Sequence, residues 1–325
     1  MFHIRSTTTL ALCAALALGV AACGDDEAAE GGNGSGSTSA EQSQDLSGSI
    51  RIDGSSTVYP FVQAAAEQFQ AQAPNVRIAV GQSGTGGGFE KFCAGETDIS
   101  NASRPIKDDE EVPLCEKGGV AYSEVQVAND GIAVVSNKSL TIDCMTTDQL
   151  KELWATGKVK NYSEIDPKFP DKDVSLFGPG TDSGTFDFFT DEINGEEGKT
   201  RKDYQPSEDD NVLVQGVEGD EGAMGYFGFS YYEQNQDKLN LIGVDAGDGC
   251  VKPSSQAIQD GTYKPLSRPL FMYPSAEAIK KPEVKAFMDF VLENQQQIAE
   301  AAQFVPMTSE QATEAESALS TAEAQ

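Results

Sequence analysis

The sequence predicts an α/β protein with a largely parallel sheet. Three observations carry this. Short apolar strands alternate with amphipathic helices along most of the chain. Several strands end in a loop of Gly, Ser and Thr that leads straight into a helix. The 325 residues are long for one core and comfortable for two lobes.

The elements follow in order. "GSIRIDGSST" (48–57) is a strand and loop, with Ile50 and Ile52 alternating, and "PFVQAAAEQFQAQ" (60–72) is a helix with Pro60 in its first turn. Val62, Ala65, Ala66 and Phe69 share one face of that helix. "VRIAV" (76–80) is a second strand, followed by the loop "GQSGTGGG" and the short helix "FEKFCAGE" (89–96). "TDISNASRP" (97–105) is a third short strand and turn. "GIAVVSN" (131–137) is a buried strand, and "TTDQLKELW" (146–154) a helix capped by Thr146 or Thr147. "VSLFGPGTDSGT" (174–185) repeats the strand-then-loop pattern before the helix "FDFFTDEIN" (186–194). "GYFGFSYY" (225–232) is compact and aromatic, the composition of a core segment rather than a ligand platform. "SRPLFMYP" (267–274) is a strand. "PEVKAFMDFVLENQQQIAEAAQF" (282–304) is one amphipathic helix, with Val284, Phe287, Met288 and Val291 at i, i+3, i+4 and i+7. The Ala/Glu/Ser-rich tail after residue 308 is expected to fray.

Composition excludes several functions. The formal net charge of −29 would repel a polyphosphate, so nucleic acid is not an expected partner. The single histidine, His3, falls in an expected leader. Without it the chain has no base for Ser-His-Asp or Cys-His catalysis and no His ligand for zinc. "TDSGT" (181–185) resembles a serine nucleophile segment but lacks a base, and no Ser-x-x-Lys occurs. An enzyme is therefore not expected, and neither a metal nor a cofactor. The remaining enzymatic alternative, a metal-dependent phosphatase, would draw on Glu208, Asp209, Asp210, Asp245 and Asp248.

The N-terminus has the features of an export signal, expected over residues 1–22. Arg5 supplies a positive start and "LALCAALALGV" an apolar stretch too short for a permanent span. It closes with Val20-Ala21-Ala22-Cys23, which resembles a bacterial lipobox, with Cys23 as the lipid attachment site. Residues 23–47 are rich in Gly, Ser and acids and are expected to form a flexible tether. The expected location is extracytoplasmic, held to the membrane only through that lipid. Four cysteines remain: Cys93, Cys115, Cys144 and Cys250. In an exported protein this even number suggests two disulfides, with three connectivities open.

Three loops share one position, strand before and helix after: "GSST" (54–57), "SGTGGG" (83–88) and "DSGT" (182–185). A helix start presents unpaired N–H groups and partial positive charge, hydroxyls add donors, and glycine lets the backbone approach. Converging loops of this kind can hold an oxyanion without net positive charge. "GTGGG" satisfies neither the dinucleotide nor the P-loop pattern. "NASR" (101–104) is a fourth polar turn, and its Arg104 is the expected cation of the site, with a bidentate fork suited to an oxyanion.

The export signal with its lipobox, "DGSSTVYP", "SGTGGGFEKFCAGETDISNASRPIK", "GPGTDSGTFDFF" and "SEDDNVLVQGV" together resemble the phosphate-binding protein of bacterial high-affinity phosphate ABC transporters. The likeness is to the cyanobacterial and actinobacterial branch, from about residue 48 to 305. It implies a type II periplasmic-binding-protein fold, in which two α/β lobes close on inorganic phosphate and deliver it to the ABC permease subunits. It implies a monomer, with lobe 1 formed by 48–127 and 251–325 and lobe 2 by 128–250. Pairing Cys93 with Cys115 and Cys144 with Cys250 then keeps each disulfide within one lobe. By position, Ser55, Ser56 and Thr57 match the first-loop donors, Ser83 and Thr85 the second, and Ser183, Gly184 and Thr185 the Ser-Gly-Thr of the other lobe. Two departures stand out. Ser103 occupies the place of the aspartate that better-studied members carry. No basic residue precedes Ser-Gly-Thr. Arg104 is expected to replace the missing arginine, and Asp182 or Asp53 the missing carboxylate that would accept the proton of phosphate and reject sulfate. Receptors for sulfate, molybdate or tungstate are the neighbouring alternatives.

Overall fold

The computed structural model describes residues 46–323, which lie within one compact unit, Ser39–Gln325. The expected leader, Cys23 and all but the end of the tether lie outside the described residues. No helix among the described residues is long and apolar enough to cross a membrane.

Among the described residues, eleven strands join in one continuous sheet. On one side β1 (Ser47–Gly54) pairs in parallel with β2 (Asn75–Val80) and β3 (Ile99–Ala102), so that Ile52 faces Val80 on one flank and Ile99 on the other. On the other side β6 (Ser175–Pro179) pairs in parallel with β7 (Gln205–Ser207) and β8 (Ala223–Gly228), and β5 (Cys144–Thr146) with β9 (Leu239–Asp245). Two strands join the sides, β4 (Val125–Asn137) and β11 (Ser267–Pro274). All of their pairings, with each other and with β3, β8 and β9, are antiparallel. The two-residue strand β10 (Cys250–Val251) is also antiparallel to β9. The expectation of a largely parallel sheet is thus corrected to a mixed one. One connecting strand carries the chain out and the other brings it back, so they must run in opposite directions.

Each side has its own core. Ile50, Val62, Phe69, Ile99, Phe287 and Val291 belong to the first. Trp154, Phe189, Leu213, Tyr226, Phe227 and Ile242 belong to the second. The change of core happens within the connecting strands. Val125, Val127 and Ala128 of β4 join the first core and Ile132 to Val135 the second, while Leu266 joins the second and Leu270 and Met272 the first. Ala257, Ile258 and Tyr263, expected with the first lobe, pack in the second core. The aromatic segment behaves as expected: Tyr226 stacks on Phe189 at 3.8 Å and meets Trp154 edge-on. Disulfides Cys93–Cys115 and Cys144–Cys250 are both present, the former within a small third cluster with Phe89, Phe92 and Tyr273.

Helices form where their ends are satisfied. Helix α1 (Tyr59–Gln72) carries Pro60 in its first turn and buries Phe61, Val62, Ala65, Ala66 and Phe69. Helices α2 (Gly84–Cys93) and α3 (Glu111–Gly118) follow β2 and β3. Helix α4 (Thr147–Ala155) starts on a complete capping box. The Thr146 hydroxyl accepts from Gln149 N at 3.1 Å, and the Gln149 side chain accepts from Thr146 N at 2.9 Å.

The C-terminal region differs from expectation twice. The long helix breaks at Asn294 into Pro282–Glu293 and Gln295–Ala301, with the Asn294 amide donating back to Phe290 O at 2.8 Å. The tail is a helix, Ser309–Glu323, rather than a frayed end. Thr308 and Gln311 exchange capping bonds at its start, and Ala315 and Leu319 pack into the first core. Its pattern of small residues hides a real apolar face.

Thr146→Ala removes one half of the capping box and should cost about 1 kcal/mol of stability. Denaturant unfolding should show a lower midpoint with an unchanged slope, and an unchanged midpoint would contradict the cap's role.

Candidate functional site

The polar loops are fixed to one another before any ligand is considered. At the end of β1, Asp53 accepts from Gly54 N at 2.8 Å, from Ser83 N and Oγ at 3.0 and 2.7 Å, and from Lys91 Nζ at 2.6 Å. Burial would raise the Asp53 pKa, but the Lys91 and Ser83 donors outweigh it and hold the carboxyl below its usual value. Ser55 N donates to Asn101 O at 3.0 Å, tying the first loop to β3. Helix α2 can lie this close to β1 only because residue 88 is glycine: a Cβ there would stand 2.5 Å from Gly54 Cα. The Thr85 and Ser103 hydroxyls are 3.1 Å apart, and Ser103 N donates to Thr85 Oγ1 at 3.3 Å. The second loop and the turn after β3 thus form one unit.

Arg104 lies on this unit, bound by both guanidinium arms to Glu111 at 2.7 and 2.8 Å. It lines the cleft while its charge is already matched by a carboxylate. The dominant cation is Arg268, the second residue of β11. Its Nε donates to Asp130 at 3.2 Å, directly across the β4–β11 pair, and its Nη2 donates to Thr57 Oγ1 at 2.6 Å and Gly184 O at 3.3 Å. The guanidinium lies 3.7 Å from the centre of the Phe188 ring. Its side chain is 13% exposed and that of Asp130 5%. Nη1 has no partner among the described residues and remains available to a ligand.

Thr57 adjoins Val58 of the first core, and Gly184 begins the helix that carries Phe188 and Phe189 of the second, so Arg268 touches both sides of the cleft. On the second side, Ser183 caps helix α5 (Gly184–Phe189) by accepting from Thr185 N at 3.2 Å. Gly184 is packed so tightly that a Cβ would stand 2.4 Å from Thr57 Oγ1 and 2.6 Å from Thr57 N. The two sides are therefore closed on each other at this point.

A cavity of about 470 Å³ opens beside that contact. It brings together eight of the expected residues, Ser55, Ser56, Thr57, Ser83, Thr85, Ser103, Arg104 and Gly184, with Arg268 and the carboxylates Asp187, Asp191, Glu192 and Glu197. Ser183, Thr185 and Asp182 instead line a second hollow on the far side of the contact, with Asp130, Glu208 and Asp210. Neither carboxylate expected to choose the ligand lines this cavity. Asp53 is saturated by the donors named above, and Asp182 is exposed and outside the cavity. The expectation that Arg104 replaces the missing arginine is corrected in part: it is present, but Arg268 is the buried cation of the cleft. A signal for it exists in the sequence. Ser-Arg-Pro occurs at 103–105 and again at 267–269, and all six residues line the cavity.

The carboxylates named for a hydrolase do not assemble into a metal site. Among the described residues no group of three or more His, Cys, Asp or Glu side chains could hold a metal ion. Asp245 instead closes a turn by accepting from Gly247 N and Gly249 N.

Two carboxyls near the cleft titrate unusually. Burial, and then the Glu197 charge, push Asp187 up to about 6, against the opposing pull of Arg268 and the Ser56 hydroxyl. Burial, followed by Asp209, Glu208 and Asp130, pushes Asp210 up to about 7. A carboxyl whose pKa is raised on folding stabilises the fold while protonated. That contribution fades as pH climbs from 3.8 through about 6 for Asp187 and about 7 for Asp210. Asp53 and Asp98, both held low, lose their contribution only on the acid side of that window.

Two outcomes follow from this geometry. Gly184→Ala should hold the lobes apart and weaken ligand binding by at least about tenfold, roughly 1.4 kcal/mol, without unfolding the protein. Binding equal to wild type would show that the Thr57–Gly184 contact is not part of closure. In phosphate-free buffer, stability should fall as pH rises from 5 to 8, and Asp210→Asn should flatten that slope. An unchanged slope in the variant would remove Asp210 as its source.

Residues 39–295 match the model of a PBP superfamily domain. Protein SphX of Synechococcus elongatus is 47% identical over 262 residues, covering 79% of this chain and 77% of its own. Phosphate-binding protein PstS of Staphylococcus saprophyticus is 40% identical over 314 residues, 96% of this chain and 92% of its own. The crystal structure of a possible phosphate binding protein from Planctomyces limnophilus superposes with a TM-score of 0.81 at 42% identity, covering 86% of this chain and 99% of that one. A Clostridium perfringens protein, provisionally assigned as the substrate-binding protein of a phosphate ABC transporter and crystallised with phosphate, superposes with a TM-score of 0.56 at 28% identity, covering 80% and 100%. Two cores joined by two antiparallel strands, a polar cleft between them and a family match across most of the length agree: the chain belongs to the PBP superfamily, with its two-lobed binding-protein fold.

Proposed function

We propose that this protein is an extracytoplasmic solute-binding protein that captures inorganic phosphate between its lobes and delivers it to the permease of an ABC transporter. One observation carries the reading. Hydroxyls from three loops of the first side, the desolvated guanidinium of Arg268 and the Gly184 edge of the second side converge on one cavity. Hydrogen bonds to an ionised acceptor contribute roughly 1.5–3 kcal/mol each, so a few such donors hold a small oxyanion tightly. The relatives named for phosphate binding and phosphate transport give the ligand its identity. The chain acts by binding alone, and the ligand leaves unchanged.

Lobe 1 comprises residues 48–128 and 267–323, and lobe 2 comprises 132–266, a division supported by the change of core within β4 and β11. Both disulfides lie inside a lobe under this division and leave the connecting strands free to flex. Cys23 carries the lipid, as the lipobox suggests, and the protein works as a monomer.

Calorimetric titration of the delipidated protein with phosphate, sulfate, molybdate and tungstate tests the ligand. Phosphate should bind at least about a hundredfold more tightly than sulfate, a gap of roughly 2.7 kcal/mol. Equal binding of phosphate and sulfate, or a preference for another oxyanion, would overturn the assignment.

A further inference from the structure

An anion cavity has an electrostatic reason to keep carboxylates out, yet four line this one: Asp187, Asp191, Glu192 and Glu197. Three of them, Asp191, Glu192 and Glu197, are exposed and can turn to solvent. Asp187 is half-buried. It sits in α5 three residues after Gly184, and helix side chains lean toward the N-terminus, here toward the Thr57–Gly184 contact. The Ser56 hydroxyl of the first lobe and the charges of Glu197 beyond the helix and Arg268 on β11 act on it.

We propose that Asp187 is the ligand-selecting carboxylate, accepting a hydrogen bond from the protonated oxygen of phosphate and thereby rejecting oxyanions that carry no proton. The proposal rests on the phosphate reading above.

Elimination supports it. Asp53 is saturated by Ser83, Lys91 and Gly54. Asp130 is paired with Arg268, and Glu111 with both arms of Arg104. Asp182 is outside the cavity. Ser103, at the turn after β3, can donate to any oxyanion as well as accept, so it selects weakly. Asp187 lines the cavity with Ser56 and with Arg268, the only desolvated arginine among the described residues there, and no set of donors among the described residues saturates it as Asp53 is saturated. Its pKa of about 6 keeps it mostly ionised at pH 7.5, where it accepts but does not donate. A sulfate oxygen placed against it would meet two acceptors with no proton between them, a loss that near-isosteres in a dry site do not escape.

The test is titration of wild type, Asp187→Asn and Asp187→Ser at pH 7.5 with three probes: inorganic phosphate, sulfate, and monofluorophosphate. The last is a dianion of phosphate shape in which fluorine replaces the protonated oxygen. Wild type should prefer phosphate to monofluorophosphate by roughly tenfold to a hundredfold, the range for one hydrogen bond to a charged acceptor. Both variants should narrow that preference and the phosphate-to-sulfate ratio by at least about tenfold. Lowering the pH of wild type from 7.5 to 5 should protonate Asp187 and raise sulfate affinity, a response absent in the variants. Equal wild-type binding of phosphate and monofluorophosphate would overturn the donated bond without any variant having to fold. A large wild-type preference that survives both substitutions would overturn Asp187 alone and leave phosphate binding standing. A wild type that binds no phosphate would overturn the functional reading, and the inference with it.

Discussion

The ion pair between Asp130 and Arg268 is the constraint on which the cleft depends. The two residues face each other on β4 and β11, at the level where each strand passes from one core to the other. Both side chains are largely withdrawn from water, and breaking such a pair by removing one partner costs on the order of 3–5 kcal/mol. Asp130 thereby fixes the guanidinium in direction as well as charge. With Nε committed to Asp130 and Nη2 to Thr57 and Gly184 O, one end of the fork remains for a ligand. The same arginine thus supports the join between the strands, the contact across the cleft and the anion site.

This arrangement explains how a chain of net charge −29 keeps a place for an anion. Arg104 is balanced by Glu111 and Arg268 by Asp130, so the site carries little uncompensated positive charge. Under the proposed function, attraction comes from short-range donors, among them the hydroxyls of Ser55, Thr57, Thr85 and Ser103, with Thr85 and Ser103 held by the bonds between their loops. Preorganised donors lose little on binding because they are already ordered.

The fold was legible where local chemistry decides it. Ile50 and Ile52 alternate as a strand must, the Thr146 cap announces its helix, and the hydroxylated loops mark the cleft edge. What stayed hidden depends on contacts far apart in sequence. Arg268 lies 138 residues from Asp130, inside a stretch whose apolar run reads only as a strand. Asp187 looks like any acidic residue in a helix's first turns, and only the folded chain places Ser56 beside it. Asp53 misled for the opposite reason: its position beside the site is real, but Ser83 and Lys91 consume its acceptor capacity. The closing helix, Ser309–Glu323, was obscured by small residues whose packing partners come from elsewhere in the first core.

Chain topology also has a mechanical consequence. The second core is built from one uninterrupted insertion, entered through β4 and left through β11, with Val305 its one outside contributor. The first core takes the chain from β1 up to β4 and again from β11 to the last helix. Both ends of the described chain are therefore anchored to one body, and the inserted body hangs from it by a pair of adjacent strands. Under the proposed closure, whatever is joined to either terminus stays with the first body. A tether at the N-terminus would then feel no pull from the movement, and the swinging jaw would be the one that carries α5 and Asp187.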